Sequence, residues 1–155
     1  KYYTLLYDKN IILHLVGSFS PNSMNYLNTL YNYIHTYDLQ HNVKFYFNIS
    51  FNQLHTLYNN VDVFLILSEH EGFCVPILEA QWHGCPVLAY GSTAITDTIG
   101  DGQLVFKNID YCLFATSLNE IFTNDKLKNL LYKNGYNNIN KYTFNAIKEL
   151  LYQAI

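Results

Sequence analysis

Cysteine is scarce in this chain and none of it is paired. Cys74, Cys85 and Cys112 show no C-x-x-C and no matched spacing. A disulfide framework is therefore not indicated, and reduced thiols in a cytosolic protein are expected. The six histidines form neither H-x-x-x-H nor H-E-x-x-H, which predicts no metal site. Charge is sparse too. Only 14% of residues are charged and the net charge is −3, so a broad basic surface for nucleic acid is not expected. No apolar run approaches the roughly 18 residues that a membrane helix needs, and no signal-peptide pattern is visible. Internal repeats and linkers are also lacking.

What remains is a globular composition. The chain has 155 residues, half of them hydrophobic, enough for one domain with a real core. The many Tyr and Asn read as compositional bias and carry no function. Tyr2 to Tyr7 reads as the tail of a helix, followed by a strand over Ile11 to Val16. The chain thus opens in the middle of a βα unit, as a domain truncated at its N-terminus would. The loop Gly17-Ser18-Phe19-Ser20-Pro21 follows. Gly17 is either a plain turn residue or a glycine that lets backbone approach a ligand. A helix is predicted over Asn22 to Tyr37, with Met24, Leu27, Leu30, Tyr31 and Ile34 at helical spacing as core contacts. A strand over Asn42 to Phe47 leads to Ser50-Phe51-Asn52-Gln53, the form of a capping box that opens a helix to about Asn59. Strands are also expected at Val61 to Leu67, Pro86 to Tyr90 and Leu104 to Phe106. Helices are expected at 75–84, Tyr111 to Phe122, Asp125 to Asn137 and Thr143 to Ala154, with Gly84 as a helix stop. Gly91 to Gln103 reads as loop. Trp82 and His83 are expected to pack at a helix end.

Alternating strands and helices of this kind predict an α/β fold, a Rossmann-like doubly wound parallel sheet with helices on both faces. Within it, the stretch from Ser68 to Ala80 carries the chemistry. Val61 to Leu67 reads as a buried parallel strand, Gly72 as part of a tight polar turn, and Pro76 as part of a helix's first turn, where its missing N–H costs nothing. Ligands of parallel sheets bind at such strand-to-helix junctions, and the free N–H groups of a helix start favour an anion such as phosphate. Glu71 lies in the turn and Glu79 roughly 5 Å along the helix. Carboxylates suit hydroxyls better than phosphate. Phosphate plus hydroxyls points to a nucleotide, a sugar phosphate or a nucleotide sugar. Cys74 reads as a buried inert thiol rather than a nucleophile, and His70 as a positioning or surface residue.

Glu71 and Glu79, with seven residues between them inside Ser-x-x-Glu-Gly-Phe-x-x-Pro-x-Leu-Glu-Ala, resemble the signature of retaining GT-B glycosyltransferases of the family-four type. Gly84-Cys85-Pro86-Val87-Leu88-Ala89 is similar to the strand that follows it in that family. Val43-Lys44-Phe45, Ser50 to Leu54, Leu57-Tyr58 and Val61-Asp62-Val63-Phe64 keep the family's order upstream, so that the resemblance covers about residues 11 to 150. It implies the C-terminal, donor-binding half of a GT-B fold. It also implies that Glu79 holds ribose hydroxyls and that Glu71 contacts the donor sugar and steadies positive charge at its anomeric carbon. Gly72, Phe73, Cys74 and Val75 would face sugar and phosphate, the last three through backbone N–H groups. The turn at about Phe47 to Ile49 would lie near the base of the nucleotide, and Gly17, in its second reading, would join the donor-binding residues.

The chain departs from the family at Thr96, Asp97 and Gln103, where proline, glutamate and the second glycine of a loop are usual. The resemblance further implies a UDP- or GDP-sugar as donor substrate, no cofactor and no metal. A glycan or lipid-linked acceptor and an absent N-terminal domain of the same protein would complete the reaction. That reaction would be retaining transfer in polysaccharide or lipopolysaccharide biosynthesis, in the cytoplasm or at the inner face of the membrane through peripheral association of the full-length enzyme. The family's diphosphate-binding Arg and Lys come from the missing part, so the fragment alone is expected to be inactive. A GT-B-like epimerase or phosphorylase and a non-catalytic nucleotide-sugar-binding module are the alternatives.

Overall fold

A computed structural model describes residues 1–153 except Lys9 and Phe19, and all but the side chain of Leu151. Phe19 of the predicted loop and Ala154, where the last predicted helix ends, lie outside the described residues. The chain divides into two compact units, Lys1–Leu54 and His55–Ile155.

The first unit holds a short helix α1 (Tyr2–Leu6), strand β1 (Leu13–Gly17), helix α2 (Met24–Thr36), strand β2 (Val43–Phe47) and the start of helix α3 (Phe51–Asn60). β1 and β2 pair in parallel, with Leu13 opposite Val43 and Gly17 opposite Phe47. Pro21 opens a single 3₁₀ turn ahead of α2, and Ser23 Oγ donates to the Ser20 carbonyl at 2.7 Å. The expected capping box at α3 is present. Gln53 Oε1 accepts the Ser50 N–H at 2.8 Å, and Ser50 Oγ accepts the Gln53 N–H at 3.4 Å. The expected core stripe of α2 is only partly realised. Leu27, Leu30 and Ile34 are half-buried, whereas Met24 is 44% and Tyr31 47% exposed. Tyr31 packs its ring on Phe45 at 5.1 Å and leaves the rest in solvent. A unit this small has too little interior to cover a five-residue stripe.

The second unit contains β3 (Phe64–Ile66), α4 (Val75–Trp82), β4 (Val87–Tyr90), α5 (Ile95–Thr98), β5 (Leu104–Phe106), α6 (Tyr111–Thr123), α7 (Asp125–Ile139) and α8 (Phe144–Gln153). Its three strands are parallel in the order β3–β4–β5. Val87, Leu88 and Ala89 are fully buried, as a central strand covered on both faces requires. Leu88, Phe114, Ile121 and Leu131 form the core, with Val63, Leu65, Leu104 and Phe106 packed against them. β3 is shorter than the predicted Val61 to Leu67. Asp62 there is exposed and pairs with Lys128 at 2.8 Å. The strands thus form two parallel ladders, and the α/β class stands. α5 was expected to be loop. It is a helical turn because Ile95 and Ile99, four residues apart, are both buried.

α4 ends as expected at Gly84, whose φ is +70°. Cys85 N–H reaches the Ala80 carbonyl and Gly84 N–H the Gln81 carbonyl, the paired closure that favours glycine at this position. Polar side chains then lock α4 in place. Gln81 Nε2 donates to the Ile99 carbonyl at 2.7 Å. Asn138 Nδ2 donates to Gln81 Oε1 and to the Thr98 carbonyl, both at 2.9 Å. Gln103 accepts the Val87 N–H at 3.1 Å and donates to the Leu131 carbonyl at 2.7 Å. The residue that departs from the family's glycine is therefore part of the packing. On the other side of α4, Tyr58 and His83 stack with ring centroids 5.5 Å apart, and His83 Nδ1–H donates to Asn59 Oδ1 at 2.8 Å. His83 packs as expected, but Trp82 does not, being 70% exposed.

Two predictions follow from these contacts. Gln103→Gly, although it restores the family's residue, leaves a strand N–H and a helix carbonyl unpaired and should lower stability by about 1–3 kcal/mol, read from urea unfolding. Burial and the nearby His55 hold His83 below the usual histidine value, with Glu79 opposing. Its NMR titration midpoint should fall below about 6.5. The unfolded chain then binds more protons near that pH. The contribution to stability is complete above about 6.5 and is lost as pH falls through the folded midpoint.

Candidate donor site

α4 begins in an unusual way. Its N-cap, Cys74, has φ 64° and ψ 60°, and no side chain caps the helix. A left-handed conformation costs a residue other than glycine about 1–2 kcal/mol, so the surrounding structure must impose it. The Cys74 carbonyl accepts the Ile77 N–H at 3.0 Å and opens the first turn. The N–H groups ahead of Ile77, among which Pro76 offers none, have no partner inside the helix. Their partial positive charge faces the loop after β3. The Cys74 side chain is buried. Burial, with Glu71 adding to it, pushes its thiol up, so it stays protonated and inert at neutral pH, as the sequence suggests.

The two glutamates are both half-buried, but their surroundings differ. Glu79 Oε2 accepts a hydrogen bond from the Tyr58 hydroxyl at 3.1 Å. Tyr58 is 7% exposed, and burial beside Glu79 pushes its phenol well above the usual range, so it remains a donor. One oxygen of Glu79 is thereby tied down, and the other accepts no hydrogen bond among the described residues. Glu71 makes no side-chain hydrogen bond or ion pair among the described residues. Its backbone is held instead, since Thr93 Oγ1 accepts the Glu71 N–H and donates to the Glu71 carbonyl, both at 2.9 Å. Ser92 Oγ donates to the Ser68 carbonyl and Thr98 Oγ1 to the Phe73 carbonyl.

Gly72, Phe73 and Val75 are exposed, and Phe73 rests edge-on against Tyr142 with centroids 5.7 Å apart. A Cβ at Gly72 would meet nothing within 4 Å, so the fold itself does not demand glycine there. In the first unit, Gly17 is exposed and also faces open space. Its carbonyl accepts the Asn48 N–H at 3.0 Å. This joins the ends of β1 and β2 next to Ile49, which is half-buried. The structure therefore groups Glu71 to Val75 with Glu79 in one unit, and Gly17 with the turn at Ile49 in the other. His70 is exposed.

Sequence reasoning overlooked Tyr58, Ser92, Thr93 and Thr98. The signal for the last three was a hydroxyl-rich run directly after an apolar strand. Tyr58 had none beyond its place before β3. Among the described residues, no group of three His, Cys, Asp or Glu side chains could hold a metal ion, and no helix is long and apolar enough to cross a membrane.

Comparison with known proteins gives a consistent picture. The chain is 28% identical over 99 residues to the capsular polysaccharide biosynthesis glycosyltransferase CapM of Staphylococcus aureus, a match that covers 62% of this chain and 26% of CapM. The chain thus spans about a quarter of that relative. The C-terminal domain of the group 1 glycosyl transferase LpcC from Francisella tularensis superposes with a TM-score of 0.72 at 23% identity, over 86% of this chain and 70% of that one. HepE of Anabaena, solved with UDP and glucose, gives a TM-score of 0.77 at 18% identity, over 92% of this chain and 40% of HepE. The last two likenesses show the fold alone, the C-terminal half of a GT-B fold. The family pattern of the glycosyl transferases group 1 matches residues 2–138, and the chain belongs to that family.

Proposed function

We propose that this chain is the donor-binding domain of a retaining, metal-independent hexosyltransferase that takes a nucleoside diphosphate sugar as donor. The observation that carries this reading is the start of α4. A helix N-terminus without a side-chain cap lies in the same unit as one free carboxylate, Glu71, and one braced carboxylate, Glu79. The diphosphate would sit on the N–H groups of Phe73, Cys74 and Val75, where partial positive charge offsets the negative charge that grows as the sugar departs. Glu79 would hold the ribose diol with the oxygen that Tyr58 leaves free. Glu71 would accept hydrogen bonds from the sugar and steady positive charge at its anomeric carbon. HepE has been solved with UDP, with UDP and glucose, and with UDP-glucose, which supports a uridine nucleotide as the first donor to try.

The nine basic residues of the chain are all lysine. In this reading the remaining diphosphate-binding cations come from the early part of this same domain, and the acceptor site from an N-terminal domain of the same polypeptide. The acceptor would be a glycan or lipid-linked sugar in polysaccharide biosynthesis, as the kinship with CapM supports. The enzyme would work in the cytoplasm, at the inner face of the membrane when its acceptor is lipid-linked.

Calorimetric titration with UDP and GDP tests this. One nucleotide should bind, and Glu79→Ala should weaken it about 10- to 100-fold, the worth of a charge-assisted hydrogen bond or two. Binding that survives Glu79→Ala unchanged would contradict the ribose assignment. Gly72→Ala should unfold at the same urea concentration as the wild type, because its methyl group meets open space. It should still bind UDP-glucose more weakly, since the methyl would enter the volume assigned to the sugar.

A further inference from the structure

We propose that Thr93 is a positioning residue for Glu71, setting the direction from which that carboxylate meets the donor sugar. The inference rests on the donor-site reading above and adds a part that neither the motif nor the family pattern supplies. Thr93 Oγ1 closes a ring on one residue, accepting the Glu71 N–H and donating to the Glu71 carbonyl at 2.9 Å each. Two bonds to the same backbone restrict both flanking peptide planes, and so the Cα–Cβ direction. The Glu71 carboxylate has no hydrogen bond of its own among the described residues, so this backbone clasp is what aims it.

Thr93 itself is exposed and has φ +38°. A β-branched residue rarely takes that conformation, and such outliers collect where a site over-determines the backbone. The strain is held from both sides. Ser92 Oγ donates to the Ser68 carbonyl, and Thr96 Oγ1 donates to the Thr93 carbonyl at 3.3 Å. Ser92 N–H also reaches the Tyr90 carbonyl and Ile95 N–H the Ser92 carbonyl, both at 3.0 Å. The turn after β4 is therefore built to present one hydroxyl to one residue of the site loop. Hydroxyl chemistry is what the position needs, because only a group that both donates and accepts can close the ring.

The test compares Thr93→Val, which keeps the branched shape and removes the hydroxyl, with Thr93→Ser, which keeps the hydroxyl. Amide hydrogen exchange read by NMR on the free chain comes first. Thr93→Val should speed exchange at Glu71 roughly tenfold, and Thr93→Ser should restore it. Unchanged exchange at Glu71 overturns the clasp. Calorimetry then gives the affinity ratio of UDP-glucose to UDP, and of GDP-mannose to GDP. Thr93→Val should reduce the sugar's share of that ratio as Glu71→Gln does, with the double variant no worse than either alone and Thr93→Ser near wild type. A general loss of stability would weaken nucleotide and nucleotide sugar together and leave the ratio unmoved. An unmoved ratio beside faster Glu71 exchange overturns the positioning role. If the wild type binds none of these nucleotides, the donor-site reading fails, and Glu71 exchange still decides whether Thr93 holds Glu71.

Discussion

The left-handed backbone at Cys74 is the constraint on which the rest of this structure turns. It lets the chain leave β3, pass through an exposed loop and enter α4 within a few residues, with the first N–H groups of the helix facing that loop. Such a conformation does not hold itself. It is kept by the Thr98 hydroxyl on the Phe73 carbonyl just before it and by the Ile77 N–H on the Cys74 carbonyl. Thr98 is in turn fixed through its own carbonyl by Asn138, which also grips Gln81 of α4. Loop, helix start and helix body are thereby tied to the same few side chains. In a buried setting these polar links are costly to break singly, which favours a site that keeps one shape before a ligand arrives.

That explains how the two carboxylates of one motif come to differ. Glu79 is one turn into a braced helix and has Tyr58 on one oxygen, so its geometry is set by packing. Glu71 is in the loop, and its geometry is set by backbone bonds from another segment. In the proposed donor site, a diol to be held and a sugar to react would call for these two kinds of support. Binding groups gain from full restraint, whereas a group facing a reacting centre gains from a fixed direction with its oxygens left unengaged.

Most of the second unit was legible in the sequence because its signals were strong and local. The apolar run at Val87 to Ala89, Pro76 in a first helical turn and Gly84 after the helix each imply one conformation with few competitors, as does the capping box at Ser50 in the first unit. The strand-turn-helix around Glu71 and Glu79 was visible for the same reason. What escaped depends on partners distant in sequence. Nothing in Gln103 alone says that it will bond both β4 and α7. Nothing in Thr93 says that its hydroxyl will meet Glu71, 22 residues away. The turn of helix at Ile95 was hidden by its shortness, although Ile95 and Ile99 have helical spacing. In the first unit the α2 stripe was real as a pattern. Spacing shows which face would be buried, and Met24 and Tyr31 show that it does not guarantee something to bury it.

The central claim is that the donor's diphosphate rests on the start of α4. Its most direct test is a ¹⁵N–¹H NMR titration of this chain with UDP-glucose, following every backbone amide. The account predicts the largest shifts at Phe73, Cys74 and Val75. Smaller shifts should reach Glu71 and Thr93 through the clasp, and the α6 start, already capped by Asp110, should stay unmoved. Binding with the largest shifts elsewhere, and those three amides unmoved, would contradict it.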